Sequence, residues 1–393
     1  MIAPTHPSAA PPDLTGRALA TQSLGTLRMY KQLSRGAHGI VYHAKTLSES
    51  RSFAVKHVLN AHLNSHQRAL QRREAEFHSK CSGWMPECKQ PVLDYVNPFV
   101  EACMAARDGD GWFLITEFWQ DGDLFTRLPE YPQVMSEANG ARLLMQLLAT
   151  VAGCHERGIY HRDLKPENIL VSVGDDPAHP DHISLRLTDF GMATDRRVAR
   201  ERGCGSIIYM SPETLHAMNT PATQQAPILD AAKQDSWSCA QLAVNLFLSV
   251  NAWHVADAKQ DKCYAFFLKN PRYNLLRFLR ISTEFNDILV RAFDTDIEKR
   301  MSVEEMWIAV DDMIQRGVRF TVDEREFEAR KQWLREMERA AKLTRPAAPV
   351  KPVLDEEQVE DAGNDSGVEC TEDTPRRPRV SRGPRRRSAQ VAH

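Results

Sequence analysis

The chain has no pair of cysteines at metal-binding or redox spacing. Its eight cysteines, at 81, 88, 103, 154, 204, 239, 263 and 370, are scattered. The nearest ligand pair, Cys154 and His155, is adjacent and isolated. A structural zinc site needs clustered ligands, so reduced thiols in a cytoplasmic or nuclear protein are expected. Long apolar runs are missing too. The longest, Ala240 to Val250, is interrupted by Asn245 and falls short of the roughly 20 residues that a bilayer crossing needs. Met1 to Leu24 carries alanine and proline but no apolar core of signal-peptide length, and a soluble protein without a membrane span is expected. Charge of one sign is lacking as well: 50 basic residues stand against 52 acidic ones, a formal net charge of −2. That balance argues against nucleic-acid binding by the folded body.

What is present suits a globular protein. The 393 residues are 42% hydrophobic and 26% charged, enough for a sizeable core. Composition divides the chain into three, and helical periodicity sets off a fourth stretch: 1–23, rich in Ala, Pro and Ser and expected to be disordered; 24–317, the patterned body; 318–344, a helical extension; and 345–393, a tail expected to be disordered. Tyr30 to Lys45, Ser52 to Val58 and Trp112 to Phe118 alternate like strands, and Ala69 to His78 has helical spacing. Helices then dominate, over Ala138 to Gly158, Asp235 to Val250, Thr283 to Phe293 and Val303 to Ile314. A small strand-rich part followed by a larger helical one predicts an α+β protein of two lobes. Val322 to Leu343 reads as a charged amphipathic helix with apolar positions at Phe327, Trp333, Leu334 and Met337. Such a helix packs back on the body or receives a partner.

Four short motifs carry the chemistry. Leu33-Ser34 precedes Gly36-Ala37-His38-Gly39-Ile40-Val41-Tyr42, a glycine turn between strands whose amides could close over phosphates. No Gly-Lys-Ser/Thr follows, so it is not a Walker loop. Phe53-Ala54-Val55-Lys56 ends an apolar strand in one ammonium group, and Glu74, eighteen residues on, could hold it, with Glu76 the competing carboxylate. His161-Arg162-Asp163-Leu164-Lys165-Pro166-Glu167-Asn168 sets a carboxylate, a lysine and an amide at spacings of two and five residues. Those are the groups that orient a hydroxyl, balance phosphoryl charge and bind metal. Asp189-Phe190-Gly191 follows Asp163 by 26 residues, a carboxylate at a strand end suited to Mg²⁺. Separately, the glycine motif reads as a hairpin turn, Lys56 as a strand-edge lysine and Asp189-Phe190-Gly191 as a common turn.

In this order and spacing the motifs resemble those of eukaryotic-type protein kinases over roughly Leu24 to Gly317. The resemblance implies a small antiparallel-sheet lobe and a larger helical lobe with ATP between them. Leu33, Gly36, Gly39, Val41, Ala54, Lys56, Glu74, Thr116 as gatekeeper, and Glu117 and Trp119 in the hinge would line the nucleotide site. It implies Asp163, Lys165 and Asn168 as catalytic residues and Asn168 and Asp189 as Mg²⁺ ligands. Ser211-Pro212-Glu213 matches the family's Ala-Pro-Glu, with Arg300 placed to pair with Glu213. Lys165 and Gly205-Ser206 look like serine/threonine specificity. The run Cys204 to Glu213 is similar to that of fungal kinases controlling sexual conjugation, meiosis and nutrient response. The alternative is a pseudokinase acting as a signalling scaffold.

Two departures concern the fold: Ser34 replaces the first loop glycine, and Ser82 to Asp110 lacks the usual His-Pro-Asn stretch. A third concerns regulation. Between Asp189 and Glu213 the hydroxyls are Thr194, Ser206, Tyr209 and Ser211, none in mid-loop. Activity without loop phosphorylation is therefore expected, with Glu201 as a carboxylate partner for Arg162. Asp123 and Glu167 suggest protein substrates with arginine upstream of the acceptor, unless both only cap or solvate. In the tail, nine acids and no base lie between Asp355 and Asp373, and seven arginines between Arg376 and Arg387. The arginine block reads as a solvated tail, a site for a nuclear import receptor, or a weak nucleic-acid or membrane patch, and Ser388 as an autophosphorylation candidate.

Overall fold

Strands form first along the chain, where β-branched and aromatic residues alternate with polar ones. The computed structural model describes residues 13–36, 39–47, 51–59, 65–82, 95–104, 111–130, 136–174 and 183–343. Strands β1 (Ala18–Ala20), β2 (Thr26–Gly36), β3 (Gly39–Thr46), β4 (Ser52–Leu59), β5 (Phe99–Met104) and β6 (Gly111–Glu117) form one antiparallel sheet in the order β1-β2-β3-β4-β6-β5. Along β3 every second side chain is buried. Ile40, Tyr42 and Ala44 join Phe53, Val55 and Ile115 in a core on one face of the sheet. Each of the large aliphatic and phenyl side chains among them contributes about 1.5–3 kcal/mol. The half-buried set on the other face includes Val41, Ala54, Lys56 and Thr116. Helix α1 (Ser65–Ser82) is the one helix among the described residues of this lobe.

The expectation of disorder up to residue 23 is corrected for its described part. Ala18 to Ala20 pair with Thr26 to Arg28, and Leu14 and Leu19 are buried in the sheet core. Leu14 and Leu19 stand twelve and seven residues before Thr26, and both join the core on one face of the sheet. Residues 1–12 lie outside the described residues, as do 344–393, which hold both charge blocks and Ser388.

The second lobe is built on helices α2 (Leu124–Glu130), α3 (Glu137–Glu156), α4 (Pro212–Asn219) and α5 (Ala231–Leu248). Helices α6 (Lys262–Lys269), α7 (Pro271–Phe278), α8 (Thr283–Ala292) and α9 (Val303–Gln315) complete it. Their starts follow from capping. Ser136 accepts from Asn139 N–H, Asp230 from Ala232 and Lys233 N–H, and Ser302 and Glu305 form a reciprocal capping box. Helix α5 is buried nearly all round, its Trp237 packed against Trp253 and Phe293. Helix α10 (Glu324–Leu343) begins against the body. Arg330 donates to the carbonyls of Ile281 (2.6 Å) and Leu279 (3.2 Å), and Phe327 is buried. The first turns of the extension thus pack back on the body. Among the described residues no helix is long and apolar enough to cross a membrane.

Two short ribbons position the site. β7 (Ile169–Val173) and β8 (Ile183–Leu187) pair with Ile169 opposite Leu187, which sets Asn168 beside Thr188. β9 (Val198–Arg200) pairs antiparallel with β10 (Ile228–Asp230), holding the segment after Asp189 against the entry to α5.

Candidate active site

The predicted residues meet where the half-buried face of the sheet overlooks β7 and β8. Gly36 and Gly39 pair across the turn of β2 and β3, with Leu33 exposed upstream. Ala37 and His38 lie outside the described residues. Gly39 has φ 138°, and a Cβ there would run into the His57 carbonyl oxygen, so this position requires glycine. Cross-strand register sets Val41 opposite Lys56 and Ala54 opposite Thr116. Glu117 ends β6, and Trp119 follows with the Arg186 guanidinium 4.7 Å above its ring.

Lys56 Nζ donates to Glu74 Oε1 at 2.6 Å and to Asp189 Oδ1 at 2.8 Å. Burial disfavours the ammonium form, but the two carboxylates overcome it and raise the Lys56 pKa, so the lysine is charged. Glu76 points elsewhere and pairs with Lys80 on the exposed face of α1, which decides between the two candidate carboxylates. Asp189 adopts the left-handed region, φ 63°, with its carboxylate accepting from Gly191 N–H.

The loop before β7 forms the second half. Lys165 Nζ lies 2.7 Å from Asp163 Oδ2 and 3.1 Å from Ser206 Oγ, and Ser206 Oγ donates to Asp163 Oδ1 at 3.0 Å. Asn168 Nδ2 donates to the Asp163 carbonyl at 2.8 Å, while the Asn168 carbonyl accepts from Thr188 N–H at 3.0 Å. Asp163 and Asn168 are buried. The loop hangs from α5: the fully buried Asp235 accepts from His161 N–H (2.8 Å), Arg162 N–H (2.7 Å) and His155 Nε2 (2.9 Å). Arg162, φ 67°, turns its guanidinium to Glu201 Oε2 (2.8 Å) and Cys204 Sγ. Phe190 is buried between the rings of His78 and His161, each 5.0 Å away.

The donor set fits a divalent ion carried by a phosphate ligand. Asp189 offers carboxylate oxygen, and Asn168, its Nδ2 committed to Asp163, presents its amide oxygen. Among the described residues no three His, Cys, Asp or Glu side chains cluster as a metal site of their own. Magnesium behaves so, taking one or two protein oxygens and completing its shell with phosphate and water.

Sequence reasoning missed three participants. Ser206, singled out only for specificity, bridges Lys165 and Asp163. Cys204 joins Glu201 on Arg162. Asn97, in the stretch whose register the sequence left open, is fully enclosed: its Nδ2 donates to the Glu117 carbonyl (3.3 Å) and its carbonyl meets His78 Nε2 (2.7 Å). The signal for it was the Asn97-Pro98 pair before β5. Asp123 accepts from Thr126 N–H at the start of α2, the capping role, while Glu167 is exposed.

A lysine–glutamate pair in a sheet-walled cleft, facing a loop that holds carboxylate, amide and ammonium together, defines a phosphotransferase of the two-lobed type. The family model for the protein kinase domain matches residues 27–309, and the chain belongs to that family. It is 32% identical over 303 residues to the negative regulator of sexual conjugation and meiosis of Schizosaccharomyces pombe, covering 73% of this chain and 60% of that protein. It is 27% identical over 289 residues to CBL-interacting protein kinase 11 of Oryza sativa, covering 71% of this chain and 50% of that one. With serine/threonine-protein kinase VHS1 of Saccharomyces cerevisiae the identity is 23% over 322 residues, 70% of this chain and 67% of that one. The chain thus spans half to two thirds of the length of these relatives.

Proposed function

We propose that this chain is an active serine/threonine kinase, transferring the γ-phosphate of Mg²⁺-bound ATP to protein hydroxyls. The observation that carries the reading is the triangle of Asp163, Lys165 and Ser206, with Lys56, Glu74 and Asp189 already joined across the cleft. Bound magnesium nucleotide supplies the electrophilic phosphorus and the leaving group. Asp163 orients the substrate hydroxyl and accepts its proton as the oxygen attacks. Lys165 holds positive charge beside that oxygen, and Ser206 fixes the Asp163 carboxylate that faces it. Lys56, steadied by Glu74, binds phosphate oxygens, and Asp189 with Asn168 would hold Mg²⁺. Most of the rate gain then comes from positioning and electrostatics.

The Lys165–Ser206 contact supports serine or threonine as acceptor, and the name of one relative, serine/threonine-protein kinase VHS1, agrees. Similarity to the fungal relatives supports a role in nutrient, differentiation or cell-cycle signalling, in cytoplasm or nucleus, with Arg376 to Arg387 read by an import receptor. Arginine upstream of the acceptor rests on the exposed Glu167 more than on Asp123, whose carboxylate caps α2. The test is transfer of labelled phosphate from ATP to a peptide panel, wild type beside Asp163→Asn. Wild type should label serine and threonine peptides, most strongly those with upstream arginine, and the variant should not. Silence from magnesium- and nucleotide-saturated wild type across the whole panel would falsify the reading.

A further inference from the structure

The ribbon of β9 and β10 carries features that phosphotransfer does not use. Ala231 N–H donates to the Arg197 carbonyl at 2.7 Å, and Glu201 N–H to the Pro227 carbonyl at 3.2 Å. Alternation along an antiparallel strand therefore turns the N–H and C=O groups of Val198 and Arg200 to the opposite edge. Among the described residues no strand pairs there. Register places Ile228 opposite Arg200, so Val198, Arg200 and Ile228 share one face. Val198 is 58% and Ile228 53% exposed, two large apolar side chains on an open ribbon.

Charge adds direction. Arg196, Arg200 and Arg202 recur at the period of an extended chain and are exposed. Arg200 donates to the Ala226 carbonyl and Arg202 to those of Thr220 and Pro221, contacts that leave both charges uncompensated. Arg196 has no carboxylate within ion-pair reach among the described residues. The neighbouring acids are engaged elsewhere: Asp195 by Arg73, Glu201 by Arg162, Asp230 by Arg197.

We propose that this edge docks an extended acidic segment of a protein substrate. The segment adds a strand by main-chain pairing at Val198 and Arg200 and sets its carboxylates against Arg196, Arg200 and Arg202. A nucleic acid or an anionic lipid surface matches the charge but not the strand edge. Glu201 ties the ribbon to Arg162, the neighbour of Asp163, so a docked segment runs beside the catalytic loop. Calling the occupant a substrate rests on the kinase reading, whereas its binding does not.

The test is fluorescence anisotropy of the full chain with a short labelled peptide of alternating glutamate and valine. Arg196→Glu combined with Arg200→Glu should weaken binding about tenfold, a change of about 1.4 kcal/mol. The paired glutamine variants, checked to unfold at the wild-type temperature, should lie between. The same peptide with proline for valine keeps its charge but loses main-chain donors, and should bind wild type several-fold more weakly. In turnover, KM for an acceptor peptide joined to the acidic segment should rise in the charge variants, with KM for the unjoined acceptor unchanged. Unchanged affinity in both variant pairs, equal binding of the proline peptide, or a single-stranded oligonucleotide that competes as tightly as the peptide would each overturn the proposal. Peptide binding by a wild type that transfers no phosphate would defeat the kinase reading and leave the docking edge standing.

Discussion

Lys56 is the residue on which the two halves of the site converge, since its one ammonium meets a carboxylate from α1 and another from the turn after β8. Lys56→Met removes the charge without a large change of volume. Transfer should fall on the order of 10²- to 10³-fold, as when other preorganised electrostatic donors are lost, with circular dichroism unchanged. His78 offers a test of a different kind. Its ring is buried against Phe99 and Phe190, and burial pushes its pKa down to about 4 from an ordinary 6.5. The Asn97 carbonyl, Asp189, Lys56 and His161 also act on it, and none reverses the direction. The unfolded chain therefore binds a proton that the folded chain refuses. Stability from this group is complete above pH 6.5 and is lost as pH falls toward about 4, on the order of 3 kcal/mol in total. His78→Gln keeps a donor for Asn97 but cannot titrate. Denaturant unfolding at stepped pH should show wild type losing more stability than the variant between those limits.

At the scale of elements, the loop from Asp189 to Glu213 is held by side-chain and strand contacts. Glu201 occupies Arg162, and β9 is clasped by β10. Glu201→Ala should lower kcat several-fold while leaving KM for ATP nearly unchanged, and phosphatase treatment of wild type should leave its rate as it was. A phosphatase-sensitive rate, with the lost phosphate mapped to this loop, would refute the expectation. Legibility also divides by element. His161 to Asn168 was readable because its functional groups are contiguous, and the long helices because their apolar periodicity runs for several turns. Strands β1, β9 and β10 were not, being three residues each with no alternation long enough to register. The Ser206, Cys204 and Asn97 contacts escaped for another reason. They join residues 19 to 43 positions apart in sequence, and only the folded loops bring such side chains together.

For the molecule as a whole, the helical lobe is tied by a buried ion pair. Arg300 donates to both oxygens of Glu213, at 2.6 and 2.9 Å, and to the carbonyls of Asp294 and Lys233, with Trp237 beneath it. Arg300→Leu would strand Glu213 and leave those carbonyls without their donor, at a cost of about 3–5 kcal/mol. The variant should unfold at clearly lower denaturant and express poorly, a loss that saturating nucleotide would only partly restore. Two lobes were legible from the shift of pattern near residue 136, and the Arg300–Glu213 pairing from the resemblance. The reach of the sheet back to Leu14 was not, because Pro- and Ala-rich composition masks two isolated core leucines.

Asp235 gives the arrangement a further meaning. The carboxylate that suspends the turn at His161 and Arg162 belongs to a helix buried nearly all round, 46 residues or more in sequence from Asp189, Asn168, Asp163 and Lys56. The Asp163 carboxylate is therefore aimed by the interior rather than by the walls of the cleft. A chemist could remodel those walls to admit a bulkier purine and leave the aim untouched, whereas a careless change beneath α5 would silence the protein without altering one atom of its mouth.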